Sequence, residues 1–144
     1  MYKPNKVIDC HLHLDDRIPG PAFNAAAELS RQLKDSKIRK GIVLHLQTQR
    51  WKVEEVAEAI SEFDNLEGFV NIHPAQKNSI SELERALRLG FIGLKLHPRL
   101  QNYKLNHIGL KPLIDAAGEL NLPVLIDAFP DGDWLMMGFD PLEF

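Results

Sequence analysis

Five short apolar runs, beginning near residues 7, 41, 66, 91 and 123, recur along the chain with segments of helical period between them. Their average step is about 29 residues, the size of one strand–helix unit. Strands that alternate with helices must run parallel and be joined by crossovers, so the fold class is α/β. The helical period is visible directly. Val53, Val56, Ala57 and Ile60 fall on one face, and Ile80, Leu83, Ala86 and Leu87 repeat the pattern. Ser79-x-x-Glu82 reads as a capping box, and Gly90 suits the positive φ of a helix end. Pro112 fits the first turn of a helix carrying Leu113, Ile114, Ala117 and Leu120. A further helix is expected over 24–37.

Two architectures accept this string. One is an open, doubly wound sheet of five strands, as in an independent binding domain of flavodoxin type. The other is a (β/α)8 barrel, which needs about 250 residues. The 144 residues present would then hold about five of the eight units. Strand parity favours the barrel. Alternate residues share a face, which sets Asp9, His11 and His13 opposite Ile8, Cys10, Leu12 and Leu14. In the same way His45 and Gln47 oppose Ile42 and Leu44, and Asn71 and His73 oppose Val70 and Ile72. Lys95 and His97 oppose Leu94 and Leu96, and Asp127 opposes Val124 and Ile126. A doubly wound sheet buries both faces of its central strands and reads almost continuously apolar. Here one face turns polar toward each strand's C-terminal end, where a barrel keeps its active site. Asp140-Pro141-Leu142-Glu143 carries helix-start signals just before Phe144. Residues 1–144 therefore read as a single, truncated N-terminal portion of a barrel, with a frayed tail as the other reading.

The net charge of −3 and the lack of a polybasic stretch give no reason to expect nucleic acid or a membrane surface. No signal-peptide or membrane-spanning pattern is present, and Cys10 is the only cysteine. A cytoplasmic location is the expectation, with Cys10 packing against covering helices as a small hydrophobe.

The chemistry centres on His11-x-His13. Residues two apart on a strand lie about 6.5–7 Å apart at Cα, close enough for both imidazoles to reach one ion. Lys95 either joins such a site or pairs with Asp9 across it, as a buried charge requires. His45 and His73 are read as polar lining that contacts substrate, with satisfied strand-end histidines as the structural alternative. Arg99 lies in the loop after the fourth strand, where substrate contact and plain solvation are both open.

The stretch Val7-Ile8-Asp9-Cys10-His11-Leu12-His13-Leu14 resembles the opening strand of the amidohydrolase superfamily, whose fold is a (β/α)8 (TIM) barrel. Gly93-Leu94-Lys95-Leu96-His97-Pro98-Arg99 is similar to the fourth-strand signature of its amidohydrolase-2 branch of hydrolases and decarboxylases. Leu122-Pro123-Val124-Leu125-Ile126 matches the entry to the fifth strand. The resemblance implies a metal-dependent hydrolase in which a metal-activated water attacks a small carbonyl-containing substrate. It makes His11 and His13 metal ligands, and puts Asp127 where the family commonly carries a ligating His. Zinc is the implied cofactor, with manganese or magnesium favoured by a carboxylate at Asp127. Lys95 occupies the region where binuclear members carry a carboxylated lysine, although a single metal is more usual in this branch. Lys95 and His97 become the catalytic candidates, and Arg99, His45 and His73 the substrate-binding ones. A related decarboxylase is one alternative. The other is a catalytically inactive barrel fragment that self-associates, a homo-oligomer if the chain ends at 144.

Overall fold

The computed structural model describes residues 7–127. The helix start expected at Asp140 and the last residues of the fifth run, 128–129, lie outside the described residues. The elements are β1 (Ile8–Leu12), α1 (Ala22–Asp35), β2 (Lys40–Leu44), α2 (Val53–Ser61), β3 (Leu66–Asn71) and α3 (Ser79–Arg88). They are followed by β4 (Gly93–Leu96), the single turn α4 (Pro98–Gln101), α5 (Leu110–Glu119) and β5 (Val124–Ile126). All five strands are parallel, in the order β1-β2-β3-β4-β5. A flavodoxin-type sheet reverses its winding and places its first strand between later ones. Here every strand neighbours its sequence neighbour, so the sheet winds one way and curls into part of a (β/α) barrel. The doubly wound reading is thereby excluded.

Apolar side chains divide into two layers, as a barrel requires. The larger lies between the strands and the helices, and contains Val43, Leu66, Val70, Leu94 and Leu96 against Leu33, Val56, Leu83 and Leu113. The smaller, on the concave side, consists of Ile42, Leu44 and Phe69 with Leu125 against them. Fully burying a side chain of this kind contributes about 1.5–3 kcal/mol, so the outer layer supplies most of the cohesion.

Helix ends differ in detail from the sequence expectation. Ser79 is the first residue of α3 rather than its cap, and the cap residue Asn78 makes no side-chain cap bond. The expected capping box is absent because Ser79 lies inside the helix and Glu82 therefore falls at its fourth position, while Asn78 Nδ2 donates to Glu82 Oε1 at 3.1 Å. Gly90 does take the left-handed conformation, with φ 99°, and Pro112 falls in the first turn of α5.

Gly109 holds the tightest approach in the outer layer. A Cβ there would lie 2.1 Å from the Pro74 carbonyl oxygen, a backbone atom that cannot rotate away. Gly109→Ala is therefore expected to cost about 2–3 kcal/mol by forcing the two loops apart. Urea unfolding would show this as a lower midpoint with an unchanged slope. An unchanged midpoint would mean that the loops separate freely.

Candidate active site on the concave face

The polar strand ends meet on the concave face, but not all of those that parity selects. In β1, Asp9 pairs with Gly41 and Leu12 with Val43, so three steps along β1 span two along β2. This bulge changes the phase of the strand. Leu12 and Leu14 pack in the helix-side layer, which leaves His13 on the concave side and returns Asp9 to the opposite face. Asp9 instead accepts the backbone N–H of His11 through Oδ1 at 3.0 Å. Cys10, expected against the helices, is exposed at this edge strand.

His11 and His13 remain neighbours despite the bulge. Their ring centroids lie 5.4 Å apart, edge to face. His13 Nδ1 lies 2.9 Å from the Leu44 carbonyl oxygen. A carbonyl can only accept, so Nδ1 carries the proton and the lone pair sits on Nε2, which has no hydrogen bond among the described residues. Burial lowers the His13 pKa, against the opposing effect of that carbonyl bond, and the charges of His11 and Lys95 lower it further. The nearby Asp127 carboxylate acts in the raising direction. A neutral ring held by its Nδ1–H with Nε2 available is the usual condition of a metal-binding or basic histidine.

Three other expected residues join this face. His97 Nε2 lies 3.0 Å from Asp127 Oδ2, while its Nδ1 accepts the Leu100 N–H at 3.3 Å and caps α4. The proton of the neutral ring is thus on Nε2, donated to Asp127. Burial lowers the His97 pKa; Asp127 opposes this, and Lys95 and Arg99 reinforce it. Lys95 is fully buried, and its Nζ has no hydrogen-bond partner among the described residues. The pairing with Asp9 is excluded, since the bulge puts that carboxylate on the other face. Burial lowers the Lys95 pKa, and Asp127 is the charge that raises it. Arg99, in α4, is exposed.

His45 and His73 do not reach this face with free ring nitrogens. His45 follows Gly41 and Val43 in parity, on the helix side, and its ring meets Phe91 edge to face at 6.3 Å. It misses the concave side because β2 turns its Ile42–Leu44 face inward. His73 Nδ1 accepts the Ala75 N–H at 3.0 Å and Nε2 donates to the Gln101 carbonyl at 2.9 Å. Both nitrogens are used in tying the β3 loop to α4, leaving none for a substrate. Residues with a larger part than their sequence signal are three amides. Buried Asn71 donates to the Lys95 carbonyl and to Gln101 Oε1, each at 3.0 Å, and accepts the Gln47 N–H at 3.2 Å. Gln101 Oε1 also accepts the His97 N–H at 3.3 Å. Polar residues at the ends of adjacent strands were the available clue.

Among the described residues no group of three His, Cys, Asp or Glu side chains is placed to hold a metal ion. His11 and His13 supply two imidazoles, which suit zinc in donor type and fit as part of a donor set. The Lys95 amine lies near enough to His13 for its charge to act on that ring, and its Nζ has no hydrogen-bond partner among the described residues.

A one-way parallel sheet with imidazoles, a carboxylate and a buried amine on its concave side defines part of a (β/α) barrel. The amidohydrolase family model matches residues 8–139, and the chain belongs to that family. No curated protein matches the sequence. Among solved structures the fold is similar to a probable 2-pyrone-4,6-dicarboxylic acid hydrolase from Acinetobacter baumannii with citric acid bound. The identity is 19% and the TM-score 0.63 over 83% of this chain. The match covers 48% of that protein, so the chain spans about half its length.

Proposed function

We propose that this chain supplies the first part of a metal-dependent hydrolase active site for a small carbonyl-containing substrate. The observation that carries the reading is the His11–His13 pair, with the His13 proton fixed on Nδ1 by the Leu44 carbonyl. His11 and His13 would hold the ion, joined by donors from outside the described set. A divalent metal bound there supplies a water acidic enough to ionise near neutral pH and polarises the substrate carbonyl. Asp127 holds a proton through His97 Nε2 and lies near enough to His13 to favour its protonated form. His97 is thereby oriented toward the face, and Lys95 offers a buried amine to an anionic or carbonyl group. The similar solved protein is named for a dicarboxylic acid and holds citric acid. A carboxylate-bearing substrate suits the cluster of Lys95, His97 and Arg99.

A catalytically silent scaffold is the second reading, and it has its own observation: the described residues do not complete a donor set. Metal content separates the two. Protein dialysed against zinc, manganese or magnesium is expected to retain close to one ion per chain. His11→Ala and His13→Ala are each expected to lose it, together with the thermal stabilisation that the ion confers through binding the native state. Retained metal in both variants places the ion elsewhere. Metal-free protein whose stability ignores both substitutions makes the scaffold silent.

A further inference from the structure

The register of β1 with β2 ends at Leu12 opposite Val43, so His13 stands one residue beyond the ladder. Past that point a side chain from the loop after β2 joins the two strand ends. Gln49 Nε2 donates to the Leu14 carbonyl at 2.8 Å. Its Oε1 accepts the Leu46 N–H at 3.3 Å, and its own N–H donates to the Leu46 carbonyl at 3.0 Å. Both ends of the side-chain amide are therefore committed. A flipped amide would set oxygen against oxygen at Leu14 and donor against donor at Leu46, which fixes its orientation.

These bonds close a circuit around His13. The ring donates from Nδ1 to the Leu44 carbonyl, β2 runs on to Leu46, and Gln49 leads from Leu46 to Leu14, the neighbour of His13. The ring's bond is directional and weakens steeply when its angle falls, so it needs the His13 backbone held against the end of β2. Leu14 is buried in the helix-side layer, but apolar burial is non-directional. The bond to its carbonyl is what sets the peptide plane.

Arg50, the next residue, has a different task. It donates to the Ile18 carbonyl and to the Gly20 carbonyl, the latter at 2.9 Å, with its guanidinium 4.4 Å from the centre of the Trp51 ring. It holds the same loop further along, away from His13.

We infer that Gln49 is a positioning residue for His13: by holding the Leu14 carbonyl to the end of β2, it keeps the ring on the Leu44 carbonyl with Nε2 left for the concave face. The ring's orientation stands on these bonds alone. Its consequence for a metal rests on the reading of His13 as a ligand proposed above.

Ring-nitrogen NMR of the full, metal-free chain at about pH 8, above the ordinary histidine pKa, reads the orientation directly. The His13 signals are those lost in His13→Ala. The parent is expected to show one tautomer, with the proton on Nδ1. Gln49→Glu keeps the shape and lacks the donor, and Gln49→Ala removes the side chain. In both, the His13 ring is expected to populate the Nε2–H tautomer as well. Arg50→Gln, which loosens the loop elsewhere, is expected to leave the His13 signals where they are. With zinc, both Gln49 variants are expected to bind about tenfold more weakly than the parent, as for the loss of a group that orients a ligand. The inference is overturned if His13 keeps a single Nδ1–H tautomer in both Gln49 variants, or if Arg50→Gln moves its signals as far. It is also overturned if the parent binds zinc and both Gln49 variants bind it equally well. A parent that binds no zinc sinks the ligand reading alone, and the tautomers then decide the role of Gln49.

Discussion

Lys95→Met is expected to give a chain that is more stable at pH 7 and has lost the amine of its concave face. Lys95 is fully buried with no hydrogen bond to Nζ among the described residues, and an ammonium in that position pays desolvation without a matching partner. Burial therefore holds its pKa below the ordinary lysine value, with Asp127 pulling the other way. The unfolded chain keeps its lysine near pKa 10.4, to order of magnitude. Between the lowered folded value and that one, the unfolded state binds more protons, so stability rises with pH across the window. Below it the full penalty applies. Methionine has similar length and no charge, so the variant lacks this slope. Replacing buried charge by a well-packed apolar side chain gains about 1–4 kcal/mol in favourable cases. The gain should be largest at pH 7 and should shrink as the pH approaches about 10. Urea unfolding of both proteins at the two pH values measures it. A methionine variant less stable than the parent at pH 7 would show that the amine has a favourable partner. Asp127 does not become an orphan in the variant, because His97 Nε2 still lies 3.0 Å away.

The same residue shows where the sequence is legible and where it is not. The strand–helix period and the inward turn of Lys95, His97 and Asp127 follow from alternation alone, because β4 and β5 are regular. The pairing of Lys95 with Asp9 fails through one extra residue in β1. A bulge leaves no mark in a stretch whose histidines and leucines alternate without interruption. In β2 the difficulty is different. Ile42 and Leu44 alternate correctly with Val43, but both faces are apolar and period two cannot say which one covers the barrel interior. Ile42 and Leu44 pack with Phe69 inside, and His45 goes with Val43 to the helix side. His11 and His13 were legible because their neighbours after the bulge, Leu12 and Leu14, keep the outer phase.

The amide network at the strand ends should be the most sensitive part of the face. Asn71→Leu keeps the volume and removes every polar atom of the side chain. The Gln47 N–H, the Lys95 carbonyl and Gln101 Oε1 each lose a partner held at 3.0–3.2 Å. Asn71 is 1% exposed, so solvent cannot replace those bonds without opening the sheet. Gln101 Oε1 keeps the His97 N–H, so the Gln47 N–H and the Lys95 carbonyl are the groups left stranded, and at about 1–3 kcal/mol each a total loss of about 2–6 kcal/mol is expected. Gln47→Ala removes only the exposed contact from Gln101 Nε2, at 3.0 Å, and should cost less than about 1 kcal/mol. The consequence for the site runs through α4. Gln101 Oε1 also receives the His97 N–H, and the Gln101 carbonyl receives His73 Nε2. Without Asn71 the turn loosens, His97 becomes more solvated, and its depressed pKa should move up toward the ordinary histidine value, since burial is the main cause of the depression. Asn71→Leu and Gln101→Ala act on one network, so their losses should fall short of additivity by at least about 0.5 kcal/mol. Urea midpoints for the two single variants and the double variant, with an NMR titration of His97, test both halves. Additive losses with an unmoved His97 would mean that Asn71 holds the strands together but does not position the site.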